Sequence, residues 1–176
     1  NYTDITIDGV TIVGYGAPQQ NYDSAITVDA APDTVSLNNT AVTAYDTASR
    51  YSGVDIRQGT NVTLTGSFVG NHEKAVAVAD GIHVNNDSAS LTVDANSFLD
   101  GGTATGVDLQ DLILKSATIN GDVSNFNTGV TVADGTSVTI TSAITNHDTR
   151  GVAVLSNATL TVQEATISNN GAAGVF

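Results

Sequence analysis

The sequence predicts an all-β solenoid, a parallel β-helix of about seven rungs with three short strands in each. Apolar residues alternate with polar ones over runs too short for a helix. The same run recurs along the chain, and the composition favours strands and turns over helices. The stretch from Gly53 to Asn71 shows the unit. Val54 and Ile56 mark a first strand, Val62 and Leu64 a second and Phe68 a third, with Gly, Asn and Thr in the gaps. Pieces of this size bury no core alone; stacked copies do.

The copies are legible. Val130-Thr131-Val132, Val138-Thr139-Ile140 and Ile144 repeat the unit, as do Val152-Ala153-Val154, Leu160-Thr161-Val162 and Ile167. Val107-Asp108-Leu109, Leu112-Ile113-Leu114 and Ile119 form another with a shortened first gap. Earlier copies are looser: Ile26-Thr27-Val28, Val35-Ser36-Leu37 and Val42, and at the start Ile5-Thr6-Ile7 with Ile12. First strands recur at Val107, Val130, Val152 and Val175, a period of about 22–23 residues, which suits three strands and three turns.

Taken in order, residues 1–24 carry the second and third strands of an incomplete rung and a polar loop. A full rung runs from about Ala25 to Ser52, and the Gly53 rung follows. The register is then ambiguous, and an insertion falls near 71–90. Both Val76 and Ile82 can serve as the next first strand, and the longer local match favours Val76. From Gly106 onward the rungs are compact. The chain ends at Gly174-Val175-Phe176 as another first strand begins, so residues 1–176 are expected to be one β-helix domain cut from a longer protein.

A repeat of this kind stacks like on like, with rungs roughly 4.8 Å apart in a rod roughly 35 Å long. Ladders of Val, Ile and Leu fill the inside, and Phe68 and Phe98 are expected to be neighbours in one of them. Each buried side chain of this type is worth roughly 1.5–3 kcal/mol. Outside the second strand a polar column is expected through Thr6, Ser36, Thr63, Thr92, Ile113, Thr139 and Thr161, broken only by Ile113. Asn120, Asn146 and Asn169 are expected after third strands, where Asn tolerates a left-handed backbone.

Apolar residues make up 40% of the 176 residues but aromatics only 5%, so Val, Ile, Leu and Ala must supply the core. With 18 acidic and 5 basic residues the net charge is −13. The bases do not cluster, which argues against nucleic-acid binding and against an anionic membrane surface. No apolar run is long enough to cross a membrane, so no direct insertion of this segment is expected. The absence of cysteine excludes disulfides and thiol chemistry.

The rung Gly-Val-x-Ile-x-x-Gly-x-Asn-Val-Thr-Leu-x-x-Ser-Phe, from Gly53 to Phe68, resembles the passenger domains of bacterial autotransporter adhesins of the pertactin-like and self-associating type. Gly129–Ile144 and Gly151–Ile167 carry the same pattern. The resemblance implies a right-handed parallel β-helix, the hand that parallel crossovers also favour. It further implies a secreted protein on the bacterial cell surface, anchored in the outer membrane through a C-terminal barrel that this sequence lacks. The implied roles are adhesion, autoaggregation, biofilm formation and virulence.

If Ile82 sets the register, Asp55, His83 and Asp108 form an outward ladder in which two carboxylates flank an imidazole, fit for a divalent cation or for acid–base work. With Val76 in register, Ala77 replaces His83 and the constellation is lost. His72 and His147 read as solvated turn residues. Polysaccharide lyases and hydrolases share this architecture, but their clustered carboxylates and bases are not seen: Arg50, Arg57, Lys74, Lys115 and Arg150 are scattered. Regular Thr-x-Thr arrays bind ice, but uneven rungs and Ile113 spoil the lattice. No enzyme activity, cofactor or metal is therefore expected. The expected partner is either a second copy, met through Thr63, Thr92, Asn120, Thr139, Asn146, Thr161 and Asn169, or a host matrix protein or glycan met by the loops around Tyr15–Tyr22 and Tyr45–Tyr51. A polysaccharide-binding or polysaccharide-degrading protein is the alternative.

Overall fold

The protein is described by a computed structural model covering residues 4–14, 24–28, 34–44, 52–56, 61–70, 74–78, 89–109, 114–133 and 135–176. The first turn comprises β1 (Asp4–Asp8), β2 (Thr11–Gly14) and β3 (Ile26–Val28). The second comprises β4 (Thr34–Asn38), β5 (Ala41–Ala44) and β6 (Ser52–Ile56), and the third β7 (Asn61–Thr65), β8 (Phe68–Gly70) and β9 (Lys74–Val78). β10 (Ala89–Val93), β11 (Phe98–Asp100) and β12 (Thr105–Leu109) form the fourth. β13 (Leu114–Ile119), β14 (Asp122–Ser124) and β15 (Thr128–Val132) form the fifth, and β16 (Ser137–Ile140), β17 (Ala143–Thr145) and β18 (Arg150–Val154) the sixth. The seventh is β19 (Thr159–Val162), β20 (Thr166–Ser168) and β21 (Ala173–Val175).

Every third strand pairs in parallel with its counterpart one turn on, so three seven-stranded sheets wall a prism. Sheet A runs from β1 to β19, sheet B from β2 to β20 and sheet C from β3 to β21. The expected solenoid is therefore found, with three strands per rung and seven strands in each sheet.

The core follows from the register. In sheet A, Leu37, Leu64, Val93, Ile119 and Ile140 stack in line, as do Val42, Val69, Leu99, Val123 and Ile144 in sheet B and Val54, Val76, Val107, Val130 and Val152 in sheet C. All fifteen are buried in one aliphatic cluster. β-branched residues dominate because their stiff side chains fit a pleated surface whose neighbour above is nearly identical.

Val76 pairs with Val54 and Val107, which fixes the ambiguous register in its favour. The fifth rung departs from expectation. Its second strand ends in Ala117-Thr118-Ile119, which pairs with Leu91-Thr92-Val93, and its third strand is centred on Val123. Leu112 and Ile113 lie outside the described residues. The slip has a local cause. Leu114 pairs with Ala89 and Ser116 with Ser90, so Lys115 is an extra residue in the ladder, a bulge that shifts the alternation.

The corners carry their own ladders. Between sheets A and B, the hydroxyls of Thr40, Ser67, Ser97 and Ser142 are buried at equivalent points of the second, third, fourth and sixth turns, with Gly121 at that point of the fifth. Ser67 Oγ accepts the Thr40 N–H at 3.1 Å and Ser97 Oγ accepts the Ser67 N–H at 3.0 Å. Ser67 Oγ lies 2.9 Å from the Leu37 carbonyl, to which it donates. Ser67 and Ser97 thus cap backbone amides at this corner, while the Thr40 hydroxyl donates to the Ile7 and Asn38 carbonyls and the Ser142 hydroxyl to the Gly121 carbonyl.

Between sheets B and C, Phe126, His147 and Asn170 stack along the axis. Phe126 N–H donates to His147 Nδ1 at 3.2 Å, and His147 N–H donates to Asn170 Oδ1 at 3.1 Å. Glycine opposite them is a packing requirement. A Cβ on Gly129 would stand 2.5 Å from the Gly151 carbonyl oxygen and 2.6 Å from His147 Nε2.

Candidate functional site

The outer face of sheet A carries the predicted polar column, and the structure completes it. Thr6, Ser36, Thr63, Thr92, Thr118, Thr139 and Thr161 stand in register over all seven strands. Thr118 takes the place expected for Ile113, so the column is unbroken. On one flank run Asp4, Thr34, Asn61, Ser90, Ser116, Ser137 and Thr159, two residues from the central column along each strand. On the other side, at or just beyond the strand ends, lie Asp8, Asn38, Thr65, Asp94, Asn120, Thr141 and Gln163. The columns are roughly 6.6 Å apart and the rungs roughly 4.8 Å.

Hydrogen bonds between rungs hold these side chains in place. Ser90 Oγ donates to Asn61 Oδ1 at 2.7 Å, Thr141 Oγ1 to Asn120 Oδ1 at 2.7 Å, and Thr34 Oγ1 to Asp4 Oδ1. Bonded in pairs, these six flank side chains have few rotamers left to freeze on contact. The restored column removes one objection to an ice lattice. The carboxylates Asp4, Asp8 and Asp94 on the flanks still interrupt it.

Asp94 terminates the fourth strand of sheet A. Burial opposes its ionisation, but bonds from Ser97 Oγ (2.6 Å), the Gly66 N–H (3.0 Å) and Asn96 outweigh this and hold its pKa below the ordinary aspartate value. It pins the corner where the fourth turn is longer than the turns on either side.

Of the predicted association residues, Thr63, Thr92, Thr139 and Thr161 lie together in the central column, with Asn120 beside it. Asn146 and Asn169 lie at the far end of sheet B, after β17 and β20, with φ of 62° and 56°. Asn120 is not their counterpart: that place belongs to Asn125 (φ 61°), preceded in the fourth turn by Gly101 (φ 78°). The expectation failed with the fifth-rung register. The left-handed backbone at this corner directs each N–H to the carbonyl of the next rung, Gly101 to Ser124 at 3.0 Å and Asn146 to Ser168 at 3.3 Å.

The Asp55–His83–Asp108 ladder does not form. Ala77 stands between Asp55 and Asp108 in register, and His83 lies outside the described residues. Asp55 and Asp108 alternate with core residues and so turn away from the aliphatic interior, yet both are only 5% exposed. Ser24 Oγ donates to Asp55 Oδ2 at 3.4 Å. Among the described residues no three of His, Asp and Glu stand close enough to hold a metal ion. All five tyrosines, His72, Arg50 and Arg57 lie outside the described residues.

Two further expectations are corrected. His147 is not a solvated turn residue: it is 2% exposed and stacked on Phe126. Phe68 and Phe98 are not in the core. The inward residues of their strands are Val69 and Leu99, while Phe98 is 51% exposed and Phe68 half-buried on the outer face of sheet B. A hypothetical Cβ on Gly70 would meet Phe68 Cζ at 2.5 Å, so the Phe68 ring lies down over that glycine. The glycine two residues after a phenylalanine in a three-residue strand was the available signal.

The family model of the right-handed β-helix region matches residues 1–176 in full, and the chain belongs to that family. The hand of the solenoid is thereby the expected one. Comparison with curated proteins and with solved structures returned no match.

Proposed function

We propose that this β-helix is an adhesive rod of a bacterial surface protein, of the autotransporter-passenger type, and that it works without catalysis by self-association through the outer face of sheet A. The observation that carries the reading is the central column of six threonines and one serine over seven consecutive rungs. One hydroxyl contributes little to binding in water. Many on a rigid lattice add up, because matching one rung places the others at no further cost in alignment. A second copy is the partner whose spacing is guaranteed to match, rung for rung. Such a face suits contact between cells, where many copies act together.

The test is to display the chain on a bacterial surface and to replace Thr92, Thr118 and Thr139 by glutamate. All three point outward, so the fold should persist, and clumping should be lost through like-charge repulsion across the face. Clumping that continues unchanged would refute self-association through sheet A. Incubation of the same protein with uronate polymers, scored for chain cleavage, tests the enzymatic alternative.

A further inference from the structure

On sheet B, across the corner from the sheet A columns, the outward positions run Thr11, Ala41, Phe68, Phe98, Asp122 in one column and Val13, Thr43, Gly70, Asp100, Ser124 in the next. Two phenylalanines therefore stand on adjacent rungs, roughly 4.8 Å apart along the axis. Phe68 lies flat over Gly70, where any side chain would collide with its ring and with the Asp100 carbonyl oxygen, 2.6 Å from a hypothetical Cβ. Phe98 beside it is 51% exposed. The two rings are the aromatic patch among the described outward residues of this sheet, whose neighbours in the same two columns are Thr, Ala, Val, Gly, Asp and Ser.

Carboxylates border the pair. Asp100 follows Phe98 by two residues on the same strand, and Asp122 is its register partner on the next rung. Ser124 Oγ and Asn125 Nδ2 both donate to Asp100 Oδ1, at 2.7 and 2.6 Å. No described residue donates to Oδ2, which leaves a fixed acceptor at the edge of the aromatic pair. Asp122 Oδ1 accepts the Ala143 N–H at 3.1 Å, which fixes that carboxylate too.

We propose that Phe68, Phe98, Asp100 and Asp122 form a glycan subsite that takes a neutral pyranose. A pyranose has one face of C–H bonds, which pack on the electron-rich face of an aromatic ring, and a rim of hydroxyls that donate to acceptors. The site offers these two elements side by side: a seated ring and two oriented carboxylates. Charge selects among sugars. With a net charge of −13 and two aspartates at the rim, the site disfavours uronates and other anionic polymers. A second copy fits poorly, because a symmetric contact here would bring these aspartates against their own counterparts. The aromatic pair is also far smaller than the surface a stable protein partner buries. This subsite lies on a different sheet from the proposed association face and stands independently of it.

The experiment is titration of the chain with neutral hexamers of glucose, mannose and galactose, with polygalacturonate as the anionic comparison. At least one neutral hexamer should bind, Phe98→Ala should weaken it about tenfold, and Asp100→Asn should weaken it less, with thermal midpoints unchanged. The glutamate variant of sheet A should bind as the parent does. The proposal is overturned if no neutral hexamer binds, if binding survives Phe98→Ala, if polygalacturonate binds more tightly than the neutral hexamers, or if Phe98→Ala instead abolishes association between copies.

Discussion

His147 sits one rung beyond Phe126 in the same corner, ring centroids 6.3 Å apart and planes 25° from parallel, and its Nδ1 accepts the Phe126 backbone N–H. Its Nε2 lies 3.2 Å from the Val123 carbonyl, to which it donates. Both ring nitrogens are thus used, in the neutral tautomer. A second proton would have to go on Nδ1, where it would face a donor.

Burial lowers the pKa of His147 below the usual value, against the opposing pull of the Val123 carbonyl and Asp148. The unfolded chain, with an ordinary histidine near pH 6.5, takes up the proton more readily. The contribution of His147 to stability is therefore fully present above about pH 6.5 and declines as the pH falls below that value towards the folded-state pKa. Urea midpoints measured from neutral to mildly acidic pH should fall with acidification. His147→Phe, which repeats Phe126, should flatten the curve in this window. The lowered pKa of Asp94 acts in a separate window: its contribution is lost only as the pH falls below about 4. An unchanged slope in His147→Phe would show that the imidazole is not held neutral by the fold.

The parity of the third strand is open to direct measurement. Leu99 is fully buried between Val69 and Val123, whereas Phe98 faces solvent. Leu99→Ala should cost about 2–5 kcal/mol, and Phe98→Ala should stay within about 0.5 kcal/mol, as surface changes do. Chemical denaturation of the two variants decides it. The opposite ranking would place the phenylalanines inside and remove the sheet B subsite.

The solenoid was legible because its signal is redundant: seven rungs repeat one alternation, and an error in any single rung leaves the period intact. Val54, Val130 and Val152 declare their partners by pattern alone. What escaped depended on parity or on local insertion. A three-residue strand such as Phe68-Val69-Gly70 has two adjacent apolar residues, and size suggested the larger one for the core. The strand's parity instead turns Val69 inward, in line with Val42 and Leu99. Likewise Leu112-Ile113-Leu114 is more apolar than Ala117-Thr118-Ile119, and nothing local announces the bulge at Lys115 that selects the weaker-looking segment. The buried hydroxyls and His147 were missed for a third reason. Their satisfaction comes from turns roughly 20–30 residues away, which a solenoid places directly above and below.

Those hydroxyls carry a cost if removed. Ser67→Ala leaves the Thr40 N–H, and the Leu37 carbonyl that receives the Ser67 hydroxyl, without that partner in a corner closed to water. The expected loss is about 1–3 kcal/mol. Ser67→Thr, which keeps the hydroxyl and matches Thr40 in the turn before, should restore most of it. Equal losses in both variants would mean that the corner is limited by volume and not by hydrogen bonding.

The final prediction concerns salt. On the last three turns of sheet A the paired outward positions are Ser116, Thr118, Ser137, Thr139, Thr159 and Thr161, with Asn120, Thr141 and Gln163 at the strand ends, and none is charged. Among the described residues the acidic members of these columns, Asp4, Asp8 and Asp94, lie in earlier turns, and Glu164 sits just beyond Gln163 at the end of the last strand. Two copies that meet through the later turns bring together neutral hydroxyls, while their net charges of −13 repel at a distance. The repulsion is screened over about 8 Å at physiological ionic strength and about 3 Å at 1 M salt. Self-association followed by sedimentation should therefore strengthen as salt is raised. An interface built on ion pairs would weaken instead, since screening removes its attraction. Association that falls with salt would exclude the threonine face as the contact and direct attention to the basic residues, of which Arg150, with its guanidinium carbon 3.9 Å from the centroid of the Phe176 ring, is the first to test.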